Sequence, residues 1–271
     1  MYKFDNAFFN SLIAAIVILL VIDYTTGVTD KSSDVDEQSD SAYIDRGKQL
    51  ALPGKKPDFK AIPAGKERKK AFFNYFLPIV EFRNNQLLAL RDEVVELYEK
   101  RTQLTSEQIA HVESIANEYD IEGFSVSNEQ NWQTLIRRID VVPPSLALAQ
   151  AANESAWGTS RFAVQGNNFF GQWCFRKGCG LVPRGRDEGQ VHEVAKFNSP
   201  QQSVFRYMHN LNTHEAYRQL RGLREKLRNQ QQSITGIKLA SGLEKYSERG
   251  HEYIEELRQM IRFNKLDRLD S

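Results

Sequence analysis

Ser145-Leu-Ala-Leu-Ala-Gln-Ala-Ala-Asn-Glu154-Ser-Ala-Trp-Gly158 is the stretch on which the reading of this chain turns. Pro143 and Pro144 precede it. Proline suits the first turn of a helix, where its missing N–H would have no intrahelical partner anyway. The run that follows is almost entirely small and apolar, so the helix it forms is expected to be buried on most of its surface. Its last turn carries one carboxylate, Glu154, and Gly158 follows shortly after. A carboxylate at the C-terminal end of a buried helix is poorly placed for stability. The helix dipole is negative there and the surroundings are dry, and both effects raise the pKa. That is the tuning a general acid needs near neutral pH. A Glu that turns out to solvent at a helix end is the plain alternative, and this segment by itself does not separate the two.

Outward from this helix the helical period dominates. From Lys66, Phe72, Phe73, Phe76, Leu77 and Val80 recur at three- and four-residue spacing, and Leu87, Leu90, Val94, Leu97 and Tyr98 continue the stripe. Further helices are expected from Ser106 to about Tyr119, capped by Thr105 or Ser106, and from about Glu129 to Ile139. A short helix led by Thr159 or Ser160 should run to Gly166. Helices resume at Pro200 to about Leu211, His214 to Asn229, Ser233 to Leu239 and Glu252 to Phe263. Between Gly171 and Phe197 the period is lost. Gly178, Gly180, Pro183, Gly185 and Gly189 interrupt the chain, and Val191 to Phe197 alternates as a strand does. The expected fold is therefore mainly α, a helical domain with a small β-hairpin lobe.

Composition narrows the function classes. The 271 residues suffice for one sizeable core or two small domains. Lys plus Arg is 36 against 35 for Asp plus Glu, so no overall charge draws the chain to nucleic acid. A hydrophobic content of 41% is ordinary for a folded protein and too low for several membrane spans. The chain carries no Gly-rich phosphate loop, Ser nucleophile elbow or zinc helix motif. His192, His209 and His214 have no triad partners by spacing.

Leu12 to Ile22 is an unbroken apolar run. At about 1.5 Å per residue it is roughly 16 Å long, against a hydrocarbon core of about 30 Å. Residues 1–24 accordingly read as a signal peptide or a marginal signal anchor. Lys3 and the terminal amine precede the run, and Asp23, Asp30, Asp34, Asp36 and Glu37 follow it. The positive side stays in the cytoplasm, so the remainder is expected to be exported. Residues 25–65 read as a polar, acidic tether followed by an irregular arm. Cys174 and Cys179, with Gly178 between them, would close a small loop in an oxidising compartment, worth roughly 2 kcal/mol in the chain-entropy model. Free thiols are the alternative. As a metal site the pair is poor, because His192 is the nearest further ligand and has no partner at ligand spacing. No metal or other cofactor is expected.

Four ordered blocks carry a family resemblance. Ala149-Gln-Ala-Ala-Asn-Glu-Ser-Ala-Trp-Gly-Thr-Ser160 resembles the signature of the bacterial N-acetylglucosaminidase family that cleaves peptidoglycan. Gly166-Asn-Asn-Phe-Phe-Gly171 resembles its Gly-Asn-Asn-Leu-Phe-Gly turn, and Phe197-Asn-Ser-Pro-Gln-Gln-Ser-Val204 its Phe-x-Ser-x-x-x-Ser-Ile stretch. Leu243-Glu-Lys-Tyr246, followed by Tyr253-Ile-Glu-Glu-Leu257, resembles its Tyr-Ala-Thr-Asp-Pro-x-Tyr segment, with a one-residue spacing difference and no proline. Within the family the chain is most similar to the group called Bax proteins. Trp173-Cys-Phe-Arg-Lys-Gly-Cys-Gly-Leu-Val-Pro183, His192-Glu-Val-Ala-Lys-Phe197 and Asn210-Leu-Asn-Thr-His214 carry that likeness, and the whole resemblance spans roughly residues 66–268.

The resemblance implies a glucosaminidase domain over 66–271 with a lysozyme-like fold, Glu154 at a cleft and the β-lobe as one wall. It implies a periplasmic enzyme, secreted or anchored in the inner membrane, that cleaves the β-1,4 bond after N-acetylglucosamine in the peptidoglycan glycan strand. Glu154 would be the general acid. Glycosidases commonly use a second carboxylate. The family places one on the β-lobe, where Asp187, Glu188 and Glu193 are the candidates. Strand alternation puts Glu193 on the face of Phe197 and favours it over Glu188. The substrate's own acetamido group could replace both. Tyr246 would sit near the sugar and orient that group or a water. Trp157, Asn168, Phe170 and Trp173 are the candidate substrate-binding residues, although Trp157 serves equally well as core and Asn168 as a turn former. Two rival readings remain open: a lytic transglycosylase using the same Glu154, and a non-catalytic glycan-binding scaffold.

Overall fold

The computed structural model describes residues 52–270 except 187, 188, 190 and 191. The expectations for Leu12 to Ile22, for most of the tether, and for Asp187, Glu188 and Val191 fall outside these residues. The molecule is mainly helical. The long helix α1 (Lys66–Glu99) buries Phe72, Tyr75, Phe76, Ile79, Val80, Leu87, Leu90, Val94 and Leu97 in one stripe. Pro78 lies inside it without ending it. Proline cannot donate to the preceding turn, a loss of about 3 kcal/mol that the burial on either side must offset. Among the described residues no helix is long and apolar enough to cross a membrane.

Two shorter helices follow, α2 (Ser106–Glu118) and α3 (Glu129–Arg138). Helix α2 starts on a capping box, in which the Thr105 side chain accepts from the Gln108 amide and the Gln108 side chain accepts from the Thr105 amide. Helix α4 (Pro144–Glu154) is the centre of the fold. Every residue from Ser145 to Ala152 is buried. Its small side chains let neighbours close in on all sides: α1, the short α8 (Gly236–Leu239), α9 (His251–Phe263) and the 3-10 turn Leu266–Leu269. With Pro143 and Pro144 lacking N–H groups, the first free amide is that of Ser145, and it donates to Asp270 Oδ1 at 2.9 Å. Ser145 Oγ and the Gly236 amide donate to Asp270 Oδ2. A carboxylate from the far end of the chain thus caps the start of α4, where the dipole favours negative charge.

The entry to α4 is braced by buried charge. Asp140 is 2% exposed and faces Arg91 at 3.6 Å, Arg224 at 3.7 Å and Arg228. Arg224 and Arg228 come from α7 (Arg218–Asn229). Asn84 of α1 clasps Val142 in both directions, its Nδ2 donating to the carbonyl at 2.8 Å and its Oδ1 accepting from the amide at 3.0 Å.

After α4 comes α5 (Arg161–Gly166), then a three-stranded antiparallel sheet, and then α6 (Pro200–Thr213). The strands β1 (Trp173–Cys174), β2 (Gly180–Leu181) and β3 (Glu193–Ala195) are arranged β1-β3-β2. The lobe is therefore more than the expected hairpin, because β3 pairs Trp173 with Val194 on one side and Leu181 with Val194 on the other. Cys174 and Cys179 are bonded across the β1–β2 loop.

The arm is also more closely integrated than its sequence suggests. Phe59 is 2% exposed and packs against Phe72, Tyr75 and Phe76. Lys56 Nζ donates to the Ala163 carbonyl and to Asn167 Oδ1, and Gln201 Nε2 donates to the Pro53 carbonyl. The folded unit thus begins before Lys66, within the segment expected to be an irregular arm.

Candidate active site

Glu154 is the last residue of α4, and three residues after it adopt left-handed backbone: Ala156 (φ 49°), Trp157 (φ 58°) and Gly158 (φ 77°). For the two non-glycine residues this costs about 1–2 kcal/mol each. Bonds on both sides of the turn hold it. The Trp157 amide donates to the Ala152 carbonyl, the Gly158 amide to Ser155 Oγ, and the Ser160 amide to the Ser155 carbonyl. Gly158 has a second reason to be glycine, since a Cβ there would lie 2.4 Å from Phe59. Trp157, open in the sequence between core and substrate, is wedged edge-on against Phe72 and Phe73 with Lys69 over its face. It pins the turn to α1.

The Glu154 carboxyl is half-buried. It keeps some contact with solvent although nearly everything around it is protein. Beneath it lies a nest of tyrosines. Tyr253 of α9 donates its O–H to Glu154 Oε1 at 2.8 Å. Gln150 Nε2, one turn back on α4, donates to the Tyr253 oxygen at 2.9 Å, and Tyr207 of α6 donates to Gln150 Oε1 at 2.5 Å. The chain of donors runs one way, from Tyr207 through Gln150 and Tyr253 to the carboxyl. Tyr246 stacks on Tyr253 with planes 3° apart, and Phe170 stacks on Tyr207 at 3.9 Å. Burial holds the hydroxyls of Tyr207, Tyr246 and Tyr253 far above their ordinary pKa, so all three stay protonated.

Burial raises Glu154 to about 7. The Tyr253 hydroxyl pulls the value down, as does the charge of Arg249, and the nearby Glu256 pushes it up. Arg249 and Glu256 pair with each other, and Arg249 lies over the Tyr253 ring. The other carboxyl oxygen, Oε2, faces Gly171. A Cβ at that position would stand 3.5 Å from it, and Gly171 has φ +64°. Backbone without a side chain therefore borders the acid on this side.

The remaining candidates take up other positions. Asn168 is 1% exposed, and its amide is spent on the backbone: Nδ2 donates to the Gln172 and Ala195 carbonyls, while Oδ1 accepts from the Phe170 and Gln172 amides. It ties the turn to the sheet. Phe170 is 1% exposed and lies in the nest. Tyr246 donates its hydroxyl to the Phe170 carbonyl at 2.7 Å. The tyrosine that reaches the acid is Tyr253, the second tyrosine of the same sequence block. Trp173 is half-buried at the base of the lobe, edge-on to His192, with its indole N–H covered and without a partner among the described residues.

Glu193 points inward as its alternation suggested, but into the lobe itself. It is 4% exposed, and its two oxygens accept the Gly178 amide at 3.0 Å and the Gly180 amide at 2.8 Å. The Gly178 and Gly180 amides hold its pKa below the ordinary carboxylate range, against a weaker opposing effect of burial in so thin a lobe. Glu188 lies outside the described residues.

Tyr253, Gln150 and Tyr207 are the residues that sequence reasoning did not assign. Gln150 carried a signal: it is the one large polar side chain in an otherwise small and apolar buried run, and a buried amide must find partners.

A partly accessible acid near pKa 7, held at one oxygen by a phenol and with no hydrogen-bond partner at the other among the described residues, can protonate a leaving oxygen. The comparisons agree with that chemistry. Residues 129–266 match the family model described as mannosyl-glycoprotein endo-beta-N-acetylglucosaminidase. The chain is similar to protein Bax of Escherichia coli (strain K12), with 34% identity over 197 residues, covering 73% of this chain and 70% of that protein. No solved structure matches the chain. It belongs to the glucosaminidase family, the endo-β-N-acetylglucosaminidases, which are glycoside hydrolases acting on glycans.

Proposed function

We propose that the protein is an exported peptidoglycan hydrolase that cleaves the β-1,4 bond following N-acetylglucosamine, with Glu154 as general acid. The observation that carries this reading is the Glu154 carboxyl near pKa 7, fixed by Tyr253 at Oε1, with the bare backbone of Gly171 beside Oε2 and no partner for that oxygen among the described residues. At neutral pH a large share of it is protonated. It would deliver its proton from Oε2 to the glycosidic oxygen as the sugar takes on oxocarbenium character. Export is supported by the charge order around Leu12 to Ile22 and by the Cys174–Cys179 disulfide, a bond typical of oxidising compartments.

Glu193 is better suited to bracing the lobe than to catalysis, because both of its oxygens are engaged. The second role then falls to the substrate's acetamido group. Its oxygen would attack C1 as the leaving oxygen takes the Glu154 proton, and the ionised Glu154 would next deprotonate the water that opens the ring. Glu188 is the protein-borne alternative.

Mass analysis of products released from purified sacculi tests the reaction. New free reducing ends on N-acetylglucosamine are expected. Anhydro-sugar ends would indicate a lytic transglycosylase, and binding without release would indicate a scaffold. The first-formed anomer separates the two second roles: retained for the acetamido group, inverted for a water activated by a carboxylate such as Glu188.

A further inference from the structure

The β-lobe presents a surface that the acid chemistry does not use. Phe175 is 63% exposed and Val182 46% exposed. Arg176, Lys177 and Arg184 are exposed beside them in sequence, and none forms an ion pair among the described residues. The stretch from Phe175 to Glu188 carries four cations against two anions, and those anions, Asp187 and Glu188, lie outside the described residues. The lobe's described acid, Glu193, is drawn inside to the Gly178 and Gly180 amides. Lys177 and Arg186 act on its charge from a distance without pairing with it.

This surface is stiffly built. The disulfide closes the loop that carries Phe175, Arg176 and Lys177, Glu193 pins two of the loop's amides, and β3 ladders both flanking strands. It also stands close to the acid. Strand β1 begins two residues after Gly171, the residue bordering Glu154 Oε2. A glycan strand with its scissile oxygen at Oε2 would have the start of β1 beside it.

We propose that the β-lobe reads the acidic peptides borne by the glycan strand, with Arg176, Lys177 and Arg184 meeting peptide carboxylates and Phe175 and Val182 covering the peptide's aliphatic parts. Charge complementarity selects this occupant. In the intact strand the sugars are N-acetylated and the lactyl carboxyls are tied up in amide bonds, so the glycan itself is uncharged, whereas the peptides concentrate carboxylates along it. The inference rests on the peptidoglycan reading above.

The test compares the full chain with the triple variant Arg176→Gln/Lys177→Gln/Arg184→Gln on two soluble substrates. One is peptide-bearing glycan strands, and the other is the same strands with every carboxyl capped as a neutral amide, because removing the peptides with an amidase would expose a lactyl carboxylate on each muramic acid. The variant's KM for uncapped strands should rise about tenfold, the sum of three exposed ion pairs. Its kcat should hold, and its kinetics on capped strands should match the parent. Added salt should erase the parent's preference for uncapped strands. Equal losses on both substrates, or no loss on the uncapped one, overturn the proposal. So does parent-protein binding to anionic phospholipid vesicles that the variant loses while cleaving both substrates normally, which would reassign the surface to a membrane. If the parent cleaves neither substrate, the peptidoglycan reading itself fails, a result distinct from a failure of the lobe alone.

Discussion

Asp140, buried just before α4, and Glu154, half-buried as its last residue, are two carboxyl groups that behave in opposite ways. Burial alone would raise both. At Asp140 the charges of Arg224, Arg228 and Arg91 outweigh burial and hold the group below the ordinary aspartate range. Its oxygens are filled by Arg228 and the Val141 amide. At Glu154 the near neighbours are phenols, Arg249 acts from further away, and burial prevails. The difference lies in the counter-charge and not in depth. A carboxylate with matched cations holds structure together, and one given only a hydroxyl is left ready to gain and lose a proton. A small cavity opens beside Asp140, lined by Arg91, Tyr98, Glu129, Arg137 and Arg228, so concavity and a raised pKa point to different ends of this helix.

Removing the acid should break the comparison most sharply. Glu154→Gln should lower glycan cleavage on the order of 10³-fold, within the usual range for a general acid. It should also stabilise the protein in alkaline solution. A group whose folded pKa is raised contributes stability below its unfolded value and loses it as pH rises through the folded one, here about 7. The melting temperature of the variant should exceed that of the parent at pH 8.5, and the gap should close only as pH falls below the unfolded value of 4.5. Turnover within tenfold of the parent would remove Glu154 from its role.

Asp140→Asn should do the converse. It should destabilise the fold by about 3–5 kcal/mol at neutral pH, because Arg224 is left buried without its counter-charge. The deficit, measured by urea titration, should shrink as pH falls below the ordinary aspartate range, where the parent loses the same charge. A deficit independent of pH would mean that packing, not charge, makes the site.

Tyr253→Phe tests the phenol. Without its hydrogen bond the Glu154 pKa should rise further, moving the alkaline limb of the pH–rate profile upward, with a rate loss of about tenfold or less. An unmoved limb would separate Tyr253 from the tuning. The smallest effect is expected at the third buried carboxylate. Glu193→Gln keeps one acceptor, so cleavage should stay close to the parent rate while amide hydrogen exchange at Gly178 and Gly180 quickens. A collapse of activity with the lobe intact would restore Glu193 as a catalytic group.

The helices and the acid were legible because their signals are local. The stripe from Phe72 to Leu97 and the small-residue run before Glu154 state their burial through periodicity and composition. What stayed hidden depends on contacts made across the chain. Nothing local distinguishes the Tyr246 hydroxyl, which meets the Phe170 carbonyl, from that of Tyr253, which meets Glu154. Alternation correctly turned Glu193 inward, yet it could not tell the cleft from the lobe's own loop. Phe59 is a single aromatic in an irregular stretch with no period to mark it, and its partners on α1 begin 13 positions later. Trp157 stayed undecided between core and sugar because its sequence does not show the left-handed turn that folds it onto α1.

The clamp of Asp270 on Ser145 has a consequence for how the molecule is made. The two residues are 125 positions apart. A ribosome delivers α4 long before the carboxylate that satisfies its first amide. Contacts of such separation form late and slow folding, because the loop entropy must be met before the contact repays it. Until then a nearly featureless apolar helix stands without its cap, at some risk of association with other chains. Chains truncated during synthesis would carry Glu154 and its motif intact and still lack the clamp that seats the helix.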